Sequence, residues 1–179
     1  MGTMGIIIGF SIVPNIKRML MRKGDILLIK YIWDFPVGWL IRKGTGGNFN
    51  HCAWAIDKNT IIELKAKGKR IVPLKKYLNR WLYNCKIVRP LLDNCKLNEA
   101  IKRAEKAQFN YPYSSAIINF ILIGLKILKK TPRLSCSAFP AYYLAQVGFY
   151  FNGKKTWFIT PHDIEISKKC IDVSEELYQ

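Results

Sequence analysis

The hydrophobic pattern divides the chain into a strand-like first half and a helix-like second half. Gly24 and Asp25 form a turn that feeds the apolar run 26–31, which predicts a buried strand. Residues 33–42 are a mixed aromatic stretch that fits a short helix, and the glycine- and asparagine-rich stretch 44–50 predicts a loop. Small and β-favouring residues over 51–56 predict a second strand, 57–59 a turn, and 60–64 the returning strand. Residues 67–70 turn again into a strand over 71–74, and 86–89 form another short strand that stops at Pro90. Together these segments read as an antiparallel meander.

Beyond Pro90 the period becomes helical. Over 98–108, Ala100, Ile101, Ala104 and Ala107 recur at helical spacing with Lys and Arg between them. Residues 115–129 predict a strongly apolar helix with Lys126, Lys129 and Lys130 at its C-terminal end, where the helix dipole favours cations. A third helix is predicted over 137–147, closed by Gly148 in the left-handed position that ends many helices. Strands first and helices later give an α+β domain.

Two apolar stretches raise the question of membrane insertion. Residues 4–13 and the core of 115–129 each run for about ten apolar residues, too short to span a bilayer. The first has no basic residue before it and no small-residue cleavage site after it, so it does not read as a signal peptide. Lys17, Arg18, Arg22 and Lys23 follow it, which leaves a buried N-terminal segment or a membrane-surface anchor. The expected location is cytoplasmic or membrane-associated.

At 179 residues the chain fits one domain over 1–179, with 1–22 an apolar and basic N-terminal segment and 150–179 a C-terminal extension. That length buries a core without disulfides or metal. The 29 Lys and Arg against 12 Asp and Glu give a net charge of +17, which favours an anionic partner: nucleic acid, an acidic wall polymer or an anionic bilayer. No helix-turn-helix, zinc-finger or RNA-binding signature is present and the basic residues are scattered, so no specific nucleic acid is expected. The five cysteines have no short paired spacing, which fits a reduced chain better than a disulfide framework. With two histidines and no Cys/His cluster, neither a metal nor a cofactor is expected.

A lone reactive thiol is the remaining chemistry. Cys136 lies just where the third helix should begin, because Pro140 is tolerated only in a first turn, where its missing N–H is not needed. At a helix tip the dipole lowers a thiol's pKa, and the other four cysteines lack such a setting in the sequence. The plain alternative is a small buried residue. His51 opens a strand directly after the glycine-rich loop, at the edge of a cleft. His162, beside Asp163, is the competing base in a Cys-His-Asp arrangement, but a loop is a poorer platform.

Glu63 sits inside an apolar run, where a carboxylate needs a partner. If 57–59 is a three-residue hairpin loop, Ile56 pairs with Thr60 and Ala53 with Glu63. Glu63 then shares a face with His51, one diagonal step away. Asn59 suits a left-handed residue closing such a loop. A two- or four-residue loop puts Glu63 opposite Trp54 on the other face.

In order along the chain, Gly24–Asp25, Asn50–His51 with the strand that follows, Ile62–Glu63–Leu64, Val72–Pro73, Tyr111–Pro112–Tyr113, and Ser135 to Phe139 with Tyr143 and Gly148 carry a resemblance. Over roughly residues 22–150 the chain resembles the YiiX-like branch of the NlpC superfamily, circularly permuted papain-like enzymes related to the lecithin–retinol acyltransferase family. The resemblance departs at the basic insert 116–133 and beyond Gly148. It implies a permuted papain-like fold with a small antiparallel sheet packed on helices, Cys136 as nucleophile, His51 as base and Glu63 as third member. A thiol hydrolase of the peptidase or amidase type is expected, with cell-wall peptide as one candidate substrate. A membrane-associated lipid acyltransferase or phospholipase-like enzyme is the alternative, and a basic non-enzymatic interaction module the next.

Overall fold

The computed structural model describes residues 21–33, 36–65, 68–108, 135–154 and 156–177. The apolar N-terminal stretch 4–13 and the helix expected over 115–129 lie outside the described residues. Six strands form one antiparallel sheet: β1 (Ile26–Tyr31), β2 (His51–Ala55), β3 (Thr60–Lys65), β4 (Gly68–Pro73), β5 (Tyr83–Pro90) and β6 (Cys170–Asp172). Their order across the sheet is β4-β3-β2-β1-β5-β6, so the chain is α+β and β1 lies near the centre.

The central strand is apolar on both faces because both are covered. Ile26 and Leu28 of β1 join Cys52, Trp54, Ile62 and Leu64 on one face, under helices α2 (Asn94–Lys106) and α3 (Ala138–Ala145). Leu27 and Ile29 join Ala53, Ala55 and Ile61 on the other, under Leu74, Tyr77 and Val173. Alternation along each strand thus assigns every side chain to one of two cores. Helix α2 buries Leu97, Ala100, Ile101 and Ala104, one face of a 3.6-residue period. It starts four residues before the expected 98 because the Asp93 carboxylate accepts from the backbone N–H of Lys96 at 3.0 Å and caps it. At its other end the Lys69 ammonium, from β4, donates to the carbonyls of Ala104, Glu105 and Ala107, orphan acceptors of the last turn.

The turn before β1 is fixed by two residues. Gly24 has φ +94°, and a Cβ there would lie 2.2 Å from Leu97 Cδ2. Buried Asp25 accepts from the Arg22 backbone N–H at 2.8 Å and from Arg89 Nε and an Arg89 Nη atom at 2.7 and 3.0 Å. This forked ion pair ties the start of β1 to β5.

Several boundaries differ from those the sequence predicts. Helix α1 (Val37–Thr45) runs through Gly44 and Thr45 and ends on left-handed Gly46, φ 71°, so the loop is shorter than 44–50. Strand β4 starts at Gly68 rather than 71, and β5 starts at Tyr83 rather than 86, since Gly68 pairs with Lys65 at the end of β3 and Tyr83 with Tyr31 at the end of β1. Asn59 is not left-handed; Asn152 is the non-glycine residue with positive φ among the described residues. The Asp57 carboxylate accepts from the Asn59 N–H at 2.7 Å and closes the turn as an Asx motif instead. The tail beyond residue 150 is not an appendage: it supplies α4 (Pro161–Glu165) and the edge strand β6. Among the described residues no helix is long and apolar enough to cross a membrane.

Candidate active site

The β2–β3 register decides the first pair. Trp54 pairs with Ile62 and Ala55 with Ile61, and the Ile56 N–H donates to Thr60 O at 3.0 Å. The hairpin loop is therefore three residues, and Glu63 falls on the His51 face. The His51 Nε2 and Glu63 Oε2 atoms are 2.8 Å apart, both side chains buried.

Glu63 is held by more than His51. The Tyr77 hydroxyl donates to the same oxygen at 2.6 Å, and Arg70 donates to Oε1 at 2.8 Å. Lys76 reaches Oε1 at 3.4 Å and Lys65 lies 3.8 Å from Oε2. Burial alone would raise the Glu63 carboxyl, but the His51 bond and charge, the Tyr77 hydroxyl and Lys65 hold it well below the usual carboxylate range. Burial pushes both Tyr77 and Tyr31 upward, so these two stay phenols and remain hydrogen-bond donors. Lys65 donates to the Tyr31 hydroxyl at 2.6 Å, and the Tyr31 ring stands 6.0 Å from the His51 ring. These partners belong to β1, β3, β4 and the 3-10 turn Leu74–Tyr77, and none was legible as a site residue in the sequence.

Cys136 arrives from the other core. It sits one residue before Ser137, which precedes α3, and it is partly exposed. The turn is built by Ser135, whose carbonyl accepts from Phe139 N–H at 3.0 Å and whose hydroxyl accepts from Ala138 N–H at 3.1 Å. Ser137 donates to Ile159 O at 2.6 Å and anchors this tip to the C-terminal segment. The Cys136 and His51 side chains favour each other's charged forms, the imidazole lowering the thiol and the thiol raising the imidazole. With Nε2 on Glu63, Nδ1 is the ring nitrogen left for the thiol.

Cys52 is the neighbour that the sequence reading left out. Its thiol donates to the Cys136 carbonyl oxygen at 3.0 Å. The Cys52 hydrogen bond depresses the Cys136 thiol most; burial opposes it, and the charge and hydrogen bond of His51 and the Cys52 backbone N–H add to it. The neighbours that lower this thiol are thus Cys52 and His51, whereas burial raises the Cys52, Cys85 and Cys170 thiols, so none of these three has a comparable setting. Burial, then Cys136, pushes Cys52 well upward, so it stays protonated. Burial pulls the His51 imidazole down, but Cys136 and Glu63 outweigh it and raise it. Both shifts have the sign that favours a thiolate beside an imidazolium.

His162 stands on α4, packed against Gly47, with Nδ1 3.5 Å from Glu165. Its expected acid is engaged elsewhere: Asp163 accepts from Thr160 N–H and hydroxyl at 2.9 and 2.8 Å and pairs with Lys154 at 2.5 Å. The structure brings Cys136, His51 and Glu63 together and spends Asp163 on a capping box. No protein-family model matches the chain, and no curated protein is significantly similar to it.

Proposed function

We propose that this protein is a thiol hydrolase of the permuted papain-like, YiiX type, acting on an amide or peptide bond through a thioacyl-enzyme. The observation that carries the reading is the buried 2.8 Å His51–Glu63 contact, with His51 among the groups that lower the Cys136 thiol. Cys136 Sγ attacks the carbonyl carbon, and the oxyanion that forms faces backbone amides at the tip of α3. Imidazolium Nδ1 gives its proton to the leaving nitrogen, and the C–N bond breaks. Neutral His51 then takes a proton from water, whose hydroxyl attacks the thioester; the acid departs and the thiolate returns. Glu63 fixes the tautomer and stabilises the charged imidazole. The chain's own residues supply every step, so the reading calls for no cofactor.

The test is the pH dependence of iodoacetamide labelling, located by mass spectrometry, in the wild type and in His51→Ala. Selective labelling of Cys136 well below the ordinary thiol value of about 8.5, slowed by the histidine change, is the expected result. Labelling of Cys136 no faster than of exposed Cys95 overturns the reading.

A second reading, hydrolysis or transfer of a lipid acyl group, is favoured by one observation: tryptophans 33 and 81 are exposed, the first of them two residues beyond Tyr31, whose ring stands 6.0 Å from that of His51. An acidic wall polymer and an anionic membrane both suit the charge of +17.

A further inference from the structure

Two tryptophans stand almost wholly in solvent at one corner of the sheet: Trp33 is 82 % exposed and Trp81 86 %. Trp33 follows the end of β1 and Trp81 precedes β5. Between them the Ile32 N–H donates to Leu82 O at 3.0 Å, so the two segments are tied side by side. Ile32 and Leu82 are each 44 % exposed, and α1, next in the chain, carries half-exposed Trp39 and Leu40. Single exposed apolar residues are ordinary, whereas large ones gathered at one corner mark an interaction surface.

The charge around the corner selects the partner. Segments 30–33, 36–46 and 75–82 carry Lys30, Arg42, Lys43, Lys75, Lys76 and Arg80 and no acidic residue; Asp34 lies outside the described residues. The Lys43 ammonium sits 4.8 Å from the centre of the Trp39 ring. Lysine is depleted in protein–protein interfaces. Indoles at the headgroup level with cations beside the phosphates are what an anionic bilayer surface binds.

The corner is also continuous with the candidate site. Tyr31 adjoins Ile32 in the chain, and its ring stands 6.0 Å from His51 and 5.3 Å from Tyr83. Through Tyr31 the corner is thus joined to the site residue His51. We infer that Ile32, Trp33, Trp81 and Leu82 dock the protein on the surface of an anionic lipid bilayer and present the Cys136 site to lipid-borne acyl groups. The docking stands on the exposed residues themselves; the lipid substrate rests on the thiol-hydrolase reading.

The experiment uses the full chain with phosphatidylcholine vesicles, with and without phosphatidylserine, some carrying brominated acyl chains. The wild type is expected to sediment with the phosphatidylserine vesicles, and bromine is expected to quench its tryptophan emission. The double variant Trp33→Ala/Trp81→Ala is expected to lose roughly tenfold in partitioning, together with the quenching. Three results overturn the inference: no binding at low salt, binding without quenching, or binding unchanged in the double variant. The last is what attachment through another part of the chain would give. Cys136→Ser is expected to bind as the wild type does, and the tryptophan variant to keep wild-type Cys136 labelling. Failure of the docking and failure of the thiol chemistry are therefore read separately.

Discussion

The thiol of Cys52 lies 3.0 Å from the carbonyl oxygen of Cys136, and of the groups that lower the Cys136 thiol it acts most strongly. Removing the donor should raise the pH at which Cys136 ionises. Cys52→Ala is expected to move the midpoint of Cys136 labelling upward. Cys52→Ser keeps a donor and is expected to move it less. A pH series of iodoacetamide labelling on the three proteins checks the order; an unchanged midpoint in Cys52→Ala would falsify it.

Glu63→Gln keeps the size of the side chain and a hydrogen-bonding oxygen but removes the charge that favours imidazolium. His51 is then harder to protonate and Cys136 is left with a weaker counter-charge. Each unit of thiol pKa gained costs about tenfold in thiolate below that pKa, so labelling at neutral pH is expected to slow by roughly tenfold or more. The same change leaves Arg70, Lys65 and Lys76 without their carboxylate. The variant's urea midpoint should be measured alongside, so that a rate loss is not mistaken for unfolding.

Much of this arrangement was legible in the chain, and the residues explain where it stopped. Glu63 in an apolar run demanded a partner, and the length of the Asp57–Asn59 loop fixed which face it took. Cys52 escaped because alternation sends it to the face opposite His51, away from a site imagined on one side of the sheet. Cys136 approaches from that opposite face and meets both residues at the start of β2. Tyr77 and Lys76 lie in a 3-10 turn, which has no long period to read. Strand β6 has three residues, two of them exposed, and exists through its pairing with β5.

The acid side of the stability curve should report Glu63. Its folded pKa is depressed, so its stabilising contribution is present above the unfolded carboxylate value of about 4.3 and is lost as pH falls through the lower folded value. Asp163, lowered by Lys154 and the Thr160 contacts against its own burial, has the same sign. Urea midpoints are expected to fall steadily from about pH 5 downward. The slope should be shallower in Glu63→Gln, and an equal slope in the two proteins would remove Glu63 from this role.

Asp25 and Arg89 make a prediction about the fold alone. Asp25 is 1 % exposed and takes both forks of the guanidinium. Asp25→Ala takes the buried carboxylate away from the partly buried Arg89 guanidinium and removes the acceptor for the Arg22 N–H. Breaking a buried pair from one side costs roughly 3–5 kcal/mol. A chemical-denaturation curve should show a loss of this size. Cys136 labelling per folded molecule is expected to stay at the wild-type level, since Asp25 has no contact with the site among those described here.

Tyr77→Phe separates the positioning of Glu63 from its charge. The hydroxyl donates at 2.6 Å to the carboxylate oxygen that faces His51, and burial keeps it protonated. Phenylalanine keeps the ring and its edge-on contact with Tyr83, centroids 5.0 Å apart, but leaves that oxygen one donor short. A hydrogen bond to a charged group is worth about 1.5–3 kcal/mol, and a stability loss within that range is expected. With less to hold it down, the Glu63 pKa should rise, which moves the acid limb of the labelling profile to higher pH. The alkaline limb should stay in place, because Cys52 and His51 still act on Cys136. A purely structural Tyr77 would lower stability and leave both limbs where they are.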